Sequence, residues 1–280
     1  MTVQVTQQKE STETGLRQNT DITTAIPALI EEKTVAETLV LQNTDITVVI
    51  PTLNEVRIIA GVIGDLHRHG YHNILVVDGQ SKDGTGRIAK ENGARILIQG
   101  GRGKGDALRQ AVDHLLFASA CSETIVMMDA DGSMNIEDIP RLVKALESGA
   151  DLVKASRFLP GGHSEDMTWF RNFGNRLLLF LVNALWSFRY TDLCYGFAAF
   201  KKSAIEALFP LLKSINFEIE TEIFVRAKRI GLTVTEVPSL EFRRAHGASN
   251  LRALRDGLSI LGIILGEFKE DRLTRKRSVR

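Results

Sequence analysis

This sequence predicts an α/β fold: a mostly parallel sheet covered by helices on both faces. Three observations carry that prediction. Short β-branched runs recur between Ile46 and Ala155, segments of helical apolar spacing lie between them, and Gly or Asn closes several of those segments. Strands that alternate with helices are joined by right-handed crossovers and pair in parallel.

The elements follow in order. Residues 46–50 form the first strand run, and 54–69 have helical spacing that stops at Gly70. Residues 74–77 are a second strand, and 81–92 a helix ended by Gly93. A third strand over 95–98, a helix over 104–117, a fourth strand over 124–128, a helix over 136–146 and a fifth strand over 151–155 complete the pattern. Ligands of such sheets bind beyond the carboxyl ends of the strands. Pro51, Thr52, Asn54 and Glu55 follow the first strand, Asp78, Gly79, Gln80, Ser81 and Asp83 the second, and Asp129 and Asp131 the fourth. Three polar loops, all carrying acids, therefore converge on one edge.

Asp129 and Asp131 are the centre of that edge. Residues i and i+2 of an extended chain face the same way, so the two carboxylates can share one small volume. Their repulsion is relieved by a proton or by a divalent cation with oxygen ligands. Asp131-Gly132 is also a turn signal, and Asn54 and Ser81 are also helix-capping types.

The bulk composition narrows the class. With 280 residues, 44% hydrophobic and 25% charged, the chain can build a core without staples. The balance of 35 basic and 34 acidic residues, net +1, argues against a general nucleic-acid binder. Cys121 and Cys194 are far apart and outside any CxxC pattern, so neither a disulfide framework nor a zinc site is implied, and a reducing cytoplasm suits the chain. The N-terminus lacks a signal-peptide layout, and no apolar run reaches the roughly 18 residues of a membrane span. Residues 1–44 stand apart: QNTDIT at 18–23 recurs at 42–47, each copy followed by Ile-Pro. The first copy reads as a duplicated flexible leader, with an extra docked strand as the alternative.

VVIPTLNE at 48–55, VVDGQSKDGT at 76–85, GRGKGDALRQAV at 101–112 and MMDADGS at 127–133 together resemble family-2 glycosyltransferases with a GT-A fold. ASRFLPGG at 155–162, Gly196-Phe197, ETEI at 220–223 and EVPSLEFRRAHGASNL at 236–251 resemble the dolichol- or polyprenyl-phosphate sugar synthase branch, of the dolichol-phosphate mannose synthase type. The resemblance implies one GT-A domain over 45–268, with a nucleotide-binding half to 133, an acceptor half beyond it, and a basic tail at 269–280. It implies a nucleoside pocket at Pro51, Leu53, Glu55 and Asp78, and a Mg2+ or Mn2+ ion on Asp129 and Asp131 flanking Ala130. Arg102 and Lys104, among three glycines before a helix, could bring positive charge to a phosphate; a solvated loop is the alternative. The branch's acidic DDGS motif reads Asp78-Gly79-Gln80-Ser81 here, which leaves the base of the nucleotide open.

On the acceptor side the resemblance places Arg157 and the Arg171 to Asn175 pattern on a phosphate, where a planar guanidinium suits paired hydrogen bonds. Structural salt bridges are the alternative. Asp192 and Glu222 would orient the sugar or nearby basic groups, and Arg243, Arg244, His246 and Ser249 would close over the diphosphate. Trp169, Phe170, Phe173, the stretch 177–186 and an amphipathic helix over 251–268 offer an apolar surface, followed by Arg272, Arg275, Lys276, Arg277 and Arg280. Core packing is the alternative for the apolar residues. The expected partners are a GDP- or UDP-hexose donor, a polyprenyl or dolichyl phosphate acceptor and the inner face of a membrane. A GT-A enzyme with a soluble acceptor, a nucleotidyltransferase and a non-catalytic sugar-nucleotide binder are the competing functions.

Overall fold

The first β-branched run becomes β1 (Ile46–Thr52), which extends past Ile50 because Pro51 and Thr52 stay in parallel register with β2 (Ile74–Asp78), ending on the pair Thr52–Asp78. The structure is a computed structural model that describes residues 45–117, 121–244 and 253–278. The leader 1–44, including the first QNTDIT copy, lies outside the described residues. Within β1, Ile46, Val48 and Ile50 enter one core layer and Val49 the opposite one. Both faces of the strand are buried, as in sheets covered on two sides.

The alternating half follows the expected order: α1 (Ile59–Arg68), α2 (Thr85–Glu91), β3 (Arg95–Ile98), α3 (Lys104–Phe117), β4 (Thr124–Met127), α4 (Ile139–Glu147) after a 3-10 turn, and β5 (Leu152–Ser156). The first two helices begin later than their apolar spacing implies. Asn54 has φ 58° and Gly84 φ 94°, left-handed conformations incompatible with a continuing helix. α1 buries Ile59, Val62, Ile63 and Leu66, the i, i+3, i+4, i+7 face of an amphipathic helix.

The second half adds β6 (His163–Ser164), α5 (Trp169–Trp186), β7 (Ala198–Lys201), α6 (Lys202–Leu208), α7 (Ile219–Arg229), β8 (Val234–Pro238), β9 (Leu240–Glu241) and α8 (Ala253–Ser278). The seven-stranded sheet has the order β3-β2-β1-β4-β7-β5-β8, and β6 pairs with β9 separately. β7 runs antiparallel to both β4 and β5; the other pairs of the large sheet are parallel. The start of β7 therefore lies at the same edge as the ends of its neighbours. Met127 pairs with Ala198, so Tyr195 and Gly196 come to lie beside the loop that carries Asp129.

α1, α2 and α4 contribute to the core on one face, and α3, α5, α6, α7 and α8 to that on the other. α8 continues through the positions expected to form a basic tail. Glu267, buried, pairs with Arg226 and Arg229 of α7, and Asp271 lies 3.6 Å from Arg229. These pairs anchor the helix beyond its apolar half. Among the described residues no helix is long and apolar enough to cross a membrane.

Removing Glu267 takes the nearest carboxylate from two largely buried guanidinium groups and leaves them only longer pairs, Arg226 with Glu270 at 3.4 Å and Glu222 at 3.6 Å, and Arg229 with Asp271 at 3.6 Å. Glu267→Ala is expected to lower the unfolding free energy by about 3 kcal/mol in a denaturant titration. A loss of under about 1 kcal/mol, the size typical of an exposed pair, would show that this network does not anchor α8.

Candidate active site

Parallel register brings the predicted acids together. Thr52 and Asp78 end adjacent strands, and the Met128 N–H donates to Val49 O at 3.1 Å, so residues 129–131 emerge beside the end of β1. The first two loops are stitched to each other. Asn54 N–H donates to Ser81 Oγ at 2.8 Å, Lys82 N–H to Asn54 Oδ1 at 2.9 Å, and Glu55 N–H to Thr85 Oγ1 at 2.9 Å. Asn54 and Ser81 thus join loops rather than cap helices. Asp78 is buried and accepts from Ser81 N–H at 2.9 Å, whereas Pro51 is half-buried and Leu53 exposed. Ala130 is buried, and its methyl group belongs to the core.

Two basic side chains hold the acidic centre. Lys104, at the start of α3, pairs with Asp129 and lies 2.6 Å from Glu220 of α7. Arg244 lies 2.7 Å from Asp131 and 3.9 Å from Glu55, while Asp131 also accepts the Ser133 N–H at 3.0 Å. Burial pushes the Asp129 carboxyl up to about 6, with Lys104 opposing the rise and Asp131 and Glu220 adding to it. Burial disfavours the Lys104 ammonium, yet Asp129 and Glu220 outweigh it and hold its pKa above the ordinary lysine value. Glu55 is also raised by burial, an effect that Arg244 opposes.

The glycines around Lys104 have a packing role. A Cβ on Gly105 would lie 2.5 Å from Ser214 O, and one on Gly103 would lie 2.2 Å from Ile215 O. Close backbone approach there brings Lys104 to Glu220. Arg102 is exposed on the same loop and is not among the residues lining the cavity described below.

Arg157 is placed differently from the expected free phosphate ligand. Its side chain is 1% exposed, with Nε 2.7 Å from Asp192 Oδ2, Nη2 3.0 Å from Asp192 Oδ1 and 2.9 Å from Cys194 O, and Nη1 3.1 Å from Glu241. Its donor groups are committed within the protein, so salt bridges account for it. Asp192, fully buried, orients this guanidinium; burial would raise its carboxyl pKa, but Arg157 and Lys154 hold it below the ordinary value. Asn175 donates to Asp192 at 3.3 Å, leaving Oδ1 without a hydrogen-bond partner. Arg171 remains the more available cation, with 25% of its side chain exposed and Asp166 3.2 Å away.

Glu222 does not reach the cavity. It accepts the N–H groups of Lys213 and Ser214 at 2.8–3.1 Å, whereas Glu220, two residues earlier, lines the cavity. The residues that sequence reasoning passed over are thus Glu220 and Glu241, although both lie within quoted motifs. Ser249 and His246 lie outside the described residues.

Asp129, Asp131, Arg157, Arg171, Glu220 and Arg244 open into a cavity of about 610 Å3, which Pro51, Leu53, Glu55, Asp78 and Lys104 do not line. One end carries Asp129, Asp131, Glu220 and Arg244; the other runs between α5 and α8, past Phe170, Phe173, Leu177, Leu178 and Leu261. A family model described as glycosyl transferase family 2 matches residues 47–209.

The chain belongs to glycosyl transferase family 2.

Among its relatives is glycosyltransferase AglJ of Haloferax volcanii, 35% identical over 215 residues, with 75% of this chain and 66% of that protein covered. Polyprenol monophosphomannose synthase of Mycolicibacterium smegmatis is 29% identical, covering 64% of this chain and 70% of the relative. Dolichol-phosphate mannosyltransferase of Pyrococcus furiosus is 32% identical, covering 65% and 51%. The chain thus spans just under two thirds of the Haloferax protein and about half of the Pyrococcus one. Glucosyl-3-phosphoglycerate synthase of Mycobacterium tuberculosis, in complex with Mn2+, UDP and phosphoglyceric acid, has a TM-score of 0.61 at 22% identity, covering 80% of this chain and 78% of that one. The fold of this family 2 glycosyltransferase is GT-A.

Asp129 and Asp131 are carboxylates, the donor type that a hard divalent cation takes. Both line the cavity, and no group of three or more acidic, imidazole or thiol side chains is placed to hold a metal among the described residues. Mg2+ and similar hard cations accept one or two carboxylates when substrate phosphates and water complete the shell.

Gly196 is another close approach beside this site. A Cβ there would lie 2.5 Å from Lys104 Nζ and 2.7 Å from Glu220. Gly196→Ala is expected to reduce sugar transfer about 100-fold through displacement of Lys104 and Asp129, with an unchanged melting midpoint. Turnover within twofold of the parent would contradict this placement.

Proposed function

We propose that this glycosyltransferase moves a hexosyl group, of mannose or glucose type, from a nucleoside diphosphate sugar to a polyprenyl or dolichyl phosphate, inverting the anomeric centre. The observation that carries this reading is the two-ended cavity, with Asp129, Asp131, Glu220 and Arg244 at one end and an apolar passage between α5 and α8 at the other. A polar donor suits the first end and a lipid tail the second. The loops of Pro51, Leu53, Glu55 and Asp78 form the nucleoside side. A Mg2+ or Mn2+ ion held by Asp129 and Asp131 would neutralise charge on the departing diphosphate.

The acceptor phosphate is already an anion, so one of its oxygens can attack the anomeric carbon without a general base. The bond from that carbon to the diphosphate breaks, and the nucleoside diphosphate leaves with the bonding pair. Arg171 orients the acceptor phosphate, held by Asp166. Asp192 and Glu241 fix Arg157 behind it as a positioning residue. Glu220 takes the sugar-facing place first expected of Glu222.

The surface beside the passage suits a bilayer on the inner face of a membrane. Trp169, Phe173, Leu177 and Phe180 form an exposed stripe on α5 that includes Arg176, and α8 exposes Leu258 and Leu265 before Lys269 and Arg272. Apolar contact with adjoining cations is the two-part attachment expected at an anionic lipid surface. A second reading, transfer to a soluble phosphorylated acceptor, draws on the fold shared with glucosyl-3-phosphoglycerate synthase.

Radiolabelled UDP-glucose and GDP-mannose, each supplied with Mn2+, separate these readings. One of the donors is expected to label a short-chain polyprenyl phosphate and leave 3-phosphoglycerate unlabelled. Labelling of 3-phosphoglycerate alone, or of neither acceptor, would overturn the lipid assignment.

A further inference from the structure

The two carboxylates suited to a metal already carry cations of the protein itself, and the two cations are held differently. Lys104 lies in the first turn of α3, with Glu220 as a second fixed partner. Arg244 follows β9, and one of its carboxylate contacts, Glu55, is loose at 3.9 Å. Its other contact is a direct pair with Asp131 Oδ2 at 2.7 Å.

That pair is built into the fold. The Phe242 N–H donates to Ser133 O at 2.8 Å, and Met134 bridges Glu241 in antiparallel fashion. The segment carrying Arg244 is thereby pinned to the loop carrying Asp131, and the Arg244 side chain is only 20% exposed.

We propose that Arg244 is an internal counter-ion that competes with the divalent cation for Asp131, so that metal and nucleotide bind cooperatively. This rests on the metal reading given above. A metal ion arriving alone must displace a charge-assisted hydrogen bond at the oxygen it needs. A nucleoside diphosphate offers the guanidinium another anion, and release of Asp131 then costs less. Linkage makes the coupling reciprocal: the nucleotide strengthens metal binding by the same factor as the metal strengthens nucleotide binding.

The local charge agrees with this. Glu55, Asp129, Asp131 and Glu220 set four carboxylates against Lys104 and Arg244. The excess equals one divalent cation, so Arg244 blocks the metal through occupancy of the ligand atom rather than through net charge. Arg57, two residues from Glu55 and exposed, provides the control for charge alone.

Mn2+ binding to the full-length protein, read from the electron paramagnetic resonance signal of free Mn2+, tests the proposal without any turnover. In the absence of nucleotide, Arg244→Gln is expected to bind Mn2+ about tenfold more tightly than the parent, within the range of typical coupling factors. Arg57→Gln should match the parent. Addition of UDP or GDP should raise Mn2+ affinity strongly in the parent and much less in Arg244→Gln, after allowance for the Mn2+ that the nucleotide binds in solution. Thermal melting checks each variant, and Arg244→Met replaces Arg244→Gln if the latter is unstable.

Equal Mn2+ affinity in Arg244→Gln and the parent would overturn the counter-ion role while leaving the metal site standing, as would an equal gain in Arg57→Gln. Failure of every protein to bind Mn2+ even with nucleotide would overturn the metal reading and the counter-ion with it.

Discussion

The Lys104 bridge between Asp129 and Glu220 is the contact on which the rest of the site depends. Carboxylates gathered at the edge of a buried sheet repel one another; two unit charges 4 Å apart interact by about 4 kcal/mol at a near-surface dielectric. Lys104 offsets that repulsion only if α3 comes very close to the backbone of residues 214 and 215. Gly103 and Gly105 permit the approach, and Gly196 leaves room for the ammonium group on the other side. The glycine-rich stretch is thus understood as a packing device that delivers one charge to one place.

Strand direction explains why so many distant segments meet there. β1, β2 and β4 end at this edge, and the antiparallel β7 begins at it, bringing Tyr195 and Gly196 opposite Asp129. β5 and β8 end at the same edge on the far side of β7, which delivers Arg157 and, just beyond β8, Glu241. Two charge clusters result. One surrounds Asp129 and Asp131 and faces the cavity; the other locks Arg157 between Asp192 and Glu241 and stiffens the wall beside it. Buried ion pairs of the second kind give geometric definition more readily than net stability.

Much of this was legible in the sequence, and the gaps have physical causes. Alternating strand and helix periodicity located β1 to β5 and the edge where the acids gather, because that signal is local. The starts of α1 and α2 were misplaced because Asn54 and Gly84 take left-handed backbone conformations set by contacts between loops. Glu220 and Glu222 lie two apart at the start of α7, and no periodicity distinguishes the one facing Lys104 from the one accepting N–H groups of Lys213 and Ser214. The commitment of Arg157 to Asp192 and Glu241 joins residues 35 and 84 positions away, a pairing that only tertiary structure displays. The extension of α8 past Phe268 likewise depends on α7, through Arg226 and Arg229.

The central claim is that Asp129 and Asp131 hold the cation that serves the diphosphate. Anomalous diffraction at the manganese edge, from crystals grown with Mn2+ and either UDP or GDP, addresses it directly. The account predicts one strong peak within coordination distance of both carboxylates, about 2.0–2.6 Å, with the nucleotide phosphates against it. A nucleotide bound at the ends of β1 and β2 with no manganese peak between Asp129 and Asp131, or with the peak on other residues, would contradict it.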